Sequence, residues 1–172
     1  MDNSEWFDVV DALDRPIGRE RREVVHSREL FHRAIHVFVL DAAGRMLVQK
    51  RSMLKDSAGG LWCSSCSGHL DAGEDYLGAA VRELKEELGL DITPKNLTQI
   101  LSVSPCMDTG WEFCSLFFLQ DDGPYVFEPS EITELRSLAL NELDEWVASG
   151  FDEFSLSFLH LYRMARLCSF LR

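Results

Sequence analysis

Residues 5–11 (EWFDVVD) carry the apolar and aromatic pattern of a first strand, closed by a turn signal at Asp14, Arg15 and Pro16. Residues 34–40 and 45–51 are two more β-rich runs, and Asp41, Ala42, Ala43 and Gly44 between them predict a hairpin. A loop through Gly59, Gly60, Leu61 and Trp62 follows. Residues 97–103 and 112–120 read as strands, the second with strong apolar alternation, and 135–140 as a shorter one. Helical spacing appears at Leu77, Ala80, Val81, Leu84 and Leu88, one apolar stripe suited to packing on a sheet. Asn141 is placed to cap a helix over 142–149, and Ser155 a longer one through Phe170. In that last helix Leu156, Leu159, Tyr162, Leu167 and Phe170 predict burial, a dimer contact being the other use of such a face. The mixed run Arg19, Glu20, Arg21, Arg22, Glu23 reads as an exposed helix-like face rather than a phosphate clamp.

Residues 68–90 (GHLDAGEDYLGAAVRELKEELGL) concentrate the chemistry. Asp75 is placed as an N-cap and Gly89 as the residue ending the helix. Glu83, Glu86 and Glu87 then share one flank, within roughly 100° of the helix circumference. At i, i+3 and i+4 their charges repel, so something positive must compensate. Arg82 supplies part, while Lys85 lies on the other flank. Clustered carboxylates suit a hard, oxygen-liganded cation such as Mg²⁺, or Mn²⁺ in its place.

Composition narrows the setting. With 172 residues, no internal repeat and no long linker, the chain is expected to form one domain across 1–172, residues 1–33 being an N-terminal extension. A net charge of −12 opposes binding to nucleic acid or an anionic membrane. There is neither a signal-peptide pattern nor an apolar run of ~20 residues, so a cytoplasmic protein is expected. The five cysteines are odd in number and predict reduced thiols; Cys63 and Cys66 read as packing or pocket lining.

The spacing of Gly68, Glu74, Arg82, Glu83, Leu84, Glu86, Glu87, Gly89 and Leu90 resembles the Nudix box at every defined position. The resemblance implies an α/β class fold, a Nudix-type α/β/α sandwich on a mixed β-sheet, which the element order allows. It also implies Mg²⁺-dependent chemistry on a diphosphate linkage in a nucleoside diphosphate derivative or related small molecule, in a monomer or homodimer. Glu83, Glu86 and Glu87 would hold metal, Glu74 would support that site, Arg82 would orient the glutamates, and Gly68 and Gly73 would permit tight turns beside the substrate. Candidates for the general base are Glu112, Glu131 and Glu134.

Outside the box the chain is similar to the branch containing isopentenyl-diphosphate isomerase and its hydrolase relatives. Residues 32–51 (HRAIHVFVLDAAGRMLVQKR), Trp62 and the Gly68–His69 pair carry this likeness. Arg51 and Lys55 match a basic pair that holds diphosphate in the isomerases, an anion suited to an arginine fork and a mobile ammonium. His32 and His69 match two metal-site histidines there; His26 stands one position from the third, and His36 reads as a hydrogen-bonded strand histidine. Glu112 matches the metal-associated catalytic glutamate, although Gly110 replaces a companion carboxylate. Ser67 occupies the position of the isomerases' catalytic cysteine, and Cys66, one residue away on an extended segment, should face the other side. The intact glutamate set and Ser67 together favour hydrolysis, with isomerisation and a non-catalytic diphosphate-binding regulatory domain as alternatives. Trp62, Trp111 and Phe113 are candidates for recognising the rest of the substrate.

Overall fold

A computed structural model describes residues 5–55 and 57–171. The first four residues of the expected N-terminal extension, and Arg172 at the end of the C-terminal helical segment expected over 155–172, lie outside them. The chain runs through β1 (Trp6–Val10), β2 (Pro16–Arg21), α1 (Arg22–Ser27), β3 (His32–Leu40), β4 (Met46–Arg51), β5 (Trp62–Cys63) and β6 (Cys66–His69). It continues through α2 (Tyr76–Leu88), β7 (Thr98–Val103), β8 (Glu112–Gln120), β9 (Ile132–Leu138), α3 (Leu140–Ser149) and α4 (Leu156–Leu167). β1 and β2 form an antiparallel pair; the other seven strands make one mixed sheet, with β3 and β8 parallel at its centre.

The expected hairpin of β3 and β4 forms only at its closed end. The two strands pair at Leu40 and Met46 and then part. Into the gap comes the segment 62–69, with β5 hydrogen-bonded to β4 and β6 to β3. Ser65 joins the parted strands: its Oγ accepts from Val39 N–H at 2.8 Å and donates to the Leu47 carbonyl at 2.5 Å. Buried backbone groups that lose a strand partner need a substitute, and a serine hydroxyl can serve a donor and an acceptor at once.

Alternation along β3 then sets two layers. Ile35, Val37 and Val39 pack with Cys66, Phe117 and Leu119 against Ala80, Leu84 and Leu88 of α2. Ala34 and Phe38 pack with Cys114 and Leu116 against Phe158, Leu161 and Tyr162 of α4. The α2 stripe differs from expectation by one residue, for Leu77 is exposed and Ala79 is buried. Asp75 caps α2 by accepting from Gly78 N–H, and Gly89 ends it in the left-handed region.

Three other expectations are corrected. Residues 19–21 belong to strand β2, because pairing with β1 outweighs their helical propensity, and only Arg22 and Glu23 are helical. Asn141 lies inside α3, which starts at Leu140 behind Ala139, with Glu142 accepting from Ala139 N–H. In the last helix Leu159 and Tyr162 are buried, but Leu156 and Leu167 are exposed, as is Phe170 beyond its end, since the core covers only one face.

Candidate functional site

Where β3 and β4 separate, a cavity of about 480 Å³ opens on the α4 side of the sheet. The box glutamates reach it from α2, Ser67, Gly68 and His69 from β6, and Glu112 from β8. Arg51, Lys55 and Glu131 come from the β4 and β9 side, Arg22 from α1, and Ser155 and Ser157 from the start of α4.

Arg82 organises the acidic end. Its guanidinium donates to both oxygens of Glu74 at 3.1 and 2.8 Å, to Glu83 at 2.7 Å, to Glu86 at 3.2 Å and to the His69 carbonyl at 2.9 Å. Glu74 thus sits behind Arg82 and does not line the cavity. Glu87, fully within the split, accepts from Gln49 Nε2 of β4 at 2.9 Å and from Ser67 N–H of β6 at 3.2 Å. Burial and the neighbouring Glu87 push the Glu83 carboxyl up to about 8, and burial raises Glu87 as well. The two carboxyls therefore share a site with too little positive charge.

Gly68 has a different reason from the one expected. It lies in β6, not in a turn, and a Cβ there would stand 2.1 Å from the Glu83 carboxyl. Gly73 does make a turn, with φ +87°, and donates to Asp8 at 2.8 Å.

A second cluster lies beside the first. His26, His32 and His69 bring ring nitrogens within 4.8 Å of one another, so the one-position offset of His26 is absorbed by α1. His69 Nε2 is 2.9 Å from Glu112 Oε1, and its Nδ1 is 3.3 Å from the Arg22 guanidinium. Burial lowers His69 and takes His26 down to about 4, leaving both neutral near pH 7. Burial alone would raise Glu112; His69 and His32 instead hold it below the usual carboxylate range. His32 Nδ1 contacts the Leu30 carbonyl at 2.8 Å and must donate there, which in the neutral tautomer leaves the lone pair on Nε2. That buried nitrogen has no hydrogen bond and lies 3.4 Å from Glu112 Oε1, itself an acceptor. Two acceptors facing each other in a buried place suit a cation between them. His36 is bonded to Ser64 at 2.8 Å, as a strand histidine should be, and burial takes it to about 4.

Among the described residues, the three box glutamates do not converge as the imidazoles do. At the basic end Lys55 is ion-paired with Glu131, and Arg51 donates to the Ser57 carbonyl at 3.2 Å. Glu134 faces Arg136 away from the cavity. Ser67 lines the cavity while Cys66 is fully buried on the α2 side, where burial raises its thiol well above the ordinary value. Trp62, Trp111 and Phe113 do not line the cavity: Trp62 packs in the core against Trp146, and the other two contact Phe31. Arg22 was missed by sequence reasoning. Its signal was the charge run itself, whose register only the β2–α1 junction defines.

Comparison with known proteins agrees with this arrangement. The chain is 45% identical over 161 residues to an isopentenyl-diphosphate Delta-isomerase of Serratia proteamaculans, covering 92% of this chain and 90% of that protein. It is 31% identical over 158 residues to an uncharacterized Nudix hydrolase of Clostridium acetobutylicum, covering 86% and 76%. Its fold is similar to a crystal structure from Deinococcus radiodurans, with a TM-score of 0.75, 27% identity and coverage of 85% and 90%. The NUDIX domain model matches residues 30–161, and with the box helix set beneath a split sheet as described, the chain belongs to the Nudix family.

Proposed function

We propose that the protein is a divalent-metal-dependent hydrolase of a diphosphate linkage in a small molecule. The observation that carries this reading is the Arg82 hub, which fixes Glu83 and Glu86 beside the buried Glu87 in a cavity that Arg51 and Lys55 also line. Glu83, Glu86 and Glu87 are the donors suited to Mg²⁺, or to Mn²⁺. His26, His32, His69 and Glu112 form a nitrogen-rich set suited to a transition-type ion. The bound cation supplies neutralisation of phosphate charge and a more acidic water.

The chain's own residues do the rest. Arg51 and Lys55 hold the diphosphate, Lys55 by exchanging Glu131 for a phosphate oxygen. Arg82, shared among Glu74, Glu83 and Glu86, keeps the carboxylates oriented, a positioning role. Glu112, kept anionic, and Glu131, released from Lys55, are the groups available to accept a proton from water. Glu86→Gln and Glu87→Gln are expected to lower phosphate release from a diphosphate panel at least 100-fold with unchanged circular dichroism. Normal rates in both variants would sink the assignment.

A specific observation favours a second reading, isomerisation of an isopentenyl-type diphosphate: the convergence of His26, His32, His69 and Glu112. Against it, the cavity presents the Ser67 hydroxyl where that chemistry needs a thiol, and Cys66 faces the opposite layer. Incubation with isopentenyl diphosphate separates the two, because isomerisation conserves the diphosphate and hydrolysis releases phosphate.

A further inference from the structure

Alternation along the two central strands brings a second set of donors to the face that packs towards α4. β3 and β8 run parallel in register, with His32 opposite Glu112, Ala34 opposite Cys114 and His36 opposite Leu116. His36, Glu112 and Cys114 therefore share one face, with Ala34 between the two histidine positions of β3. Because Ala34 ends at its Cβ, it leaves the three longer head groups room to meet. A ligand nitrogen of His36, a carboxylate oxygen of Glu112 and the Cys114 sulfur lie within 4.8 Å of one another. His36 and Cys114 are 4% and 1% exposed, and His36 and Glu112 line the cavity, so the set is buried yet reached from it.

Glu112 divides its two oxygens between two neighbourhoods. Oε1 faces the imidazoles, 2.9 Å from His69 and 3.4 Å from His32, whereas Oε2 faces the Cys114 thiol at 3.7 Å. Burial and Glu112 itself raise that thiol well above its ordinary value. Around one carboxylate stand an imidazole nitrogen with no hydrogen bond and a thiol held in its protonated form, an arrangement short of positive charge. His36 Nδ1 is 2.8 Å from Ser64 Oγ, which leaves Nε2 for another partner. A ligating imidazole donates from its second nitrogen to an acceptor, and the Ser64 hydroxyl can accept. Mg²⁺ prefers oxygen to sulfur or imidazole, so this set does not compete with the box glutamates for it. One thiolate, one imidazole and one carboxylate are instead three ligands of a tetrahedral Zn²⁺ or a similar ion, with a fourth position open. Neither His36 nor Cys114 belongs to the box or to the group of His26, His32 and His69.

We propose that His36, Cys114 and Glu112 form a second transition-metal site, for Zn²⁺ or a similar ion, joined to the three-imidazole set through the Glu112 carboxylate. The site goes beyond the hydrolase reading and does not depend on it. Binding replaces the thiol proton, which leaves to solvent. The test titrates EDTA-treated, fully reduced protein with Co²⁺ and follows absorption. The expected result is a near-ultraviolet thiolate-to-Co²⁺ charge-transfer band that Zn²⁺ bleaches and excess Mg²⁺ does not. Cys114→Ser should abolish the band, and His36→Gln should weaken the Co²⁺ affinity read from it by roughly tenfold or more. His26→Gln, which breaks the imidazole set, should keep the band, as should Cys63→Ser, Cys66→Ser, Cys106→Ser and Cys168→Ser. Circular dichroism checks the fold of each variant, and should Cys114→Ser fail to fold, the affinity of His36→Gln decides in its place. Absence of the band at saturating Co²⁺, its survival in Cys114→Ser, or unchanged affinity in His36→Gln overturns the proposal. Its loss from folded His26→Gln or folded Cys66→Ser also overturns it, by assigning the ion to the imidazole set or to the box.

Discussion

Removing divalent metal and raising the pH from 6.5 to 8 should destabilise the protein, and the cause is Glu83. Its carboxyl is buried beside Glu87 and titrates at about 8, against 4.5 in an exposed chain. Between those values the folded state holds a proton that the unfolded state has released, so stability falls as pH rises through the window. His26, His36 and His69 act in the opposite direction. The first two are held near 4 and burial lowers the third, so the unfolded state binds more protons than the folded one, and stability rises with pH until the unfolded imidazoles have released their protons near 7.5. The buried thiols of Cys63 and Cys66 are raised and add a fall of their own, but only above pH 8, where unfolded thiols ionise. Between 6.5 and 8 the imidazoles therefore offset part of the fall, and the carboxyl pair is isolated by the difference between wild type and Glu83→Gln. One proton lost progressively over 1.5 pH units corresponds to about 1–2 kcal/mol. For a domain of this size that is a difference of roughly 2–8 °C between the two Tm changes. Calorimetric melts of EDTA-treated protein at pH 6.5, 7.25 and 8.0 measure it. Glu83→Gln should remove this component, so that its Tm falls less or rises across the window, and saturating Mg²⁺ or Mn²⁺ should bring the wild type towards the variant by replacing the proton. Equal slopes for metal-free wild type and Glu83→Gln would refute the reasoning.

Gly68→Ala should abolish most activity while leaving a folded protein, because the added methyl meets the Glu83 carboxyl at 2.1 Å and must displace it. Its thermal unfolding should show a loss of about 1–3 kcal/mol, as overpacking does. Lys55→Ala should raise KM for a diphosphate substrate about 10-fold or more. Adding Glu131→Gln should then cost less than it does alone if Lys55 and Glu131 act as one unit, a double-mutant cycle with additive effects being the contrary result. Ser65→Ala should cost about 2–4 kcal/mol in urea unfolding, since it strands Val39 N–H and the Leu47 carbonyl together.

Features that depend on neighbours in sequence were readable from the chain. The α2 cap at Asp75, its end at Gly89, the grouping of Glu83, Glu86 and Glu87, and the strand over 112–120 are all set within one or two turns of chain. Features that depend on which strands meet were not. The split of β3 from β4 cannot be read from a run of β-formers around a tight turn, because such a run favours complete zipping. The position of Arg22 required knowing that β2 pairs with β1 through Arg21, placing the helix start one residue later. The Cys66–Ser67 reversal was legible, since a pleated strand fixes it once one neighbour is buried.

The split also explains how an acidic helix packed under a hydrophobic sheet can present carboxylates to a cavity between the strands. Had β3 and β4 paired along their whole length, their ladder would have closed the gap through which Glu87 bonds to Gln49 and to Ser67 N–H. Glu83 would likewise have lost its approach over Gly68, where an added Cβ would collide with its carboxyl. The segment 62–69 keeps the strands apart and fills the gap with small residues: Ser65 satisfies backbone groups of both strands, Ser64 holds the His36 ring, and the Ser67 amide holds Glu87. The approach of Glu83 and Glu87 to the cavity therefore depends on the separation of the two strands. A substitution that let the hairpin zip would remove that approach without touching a single glutamate.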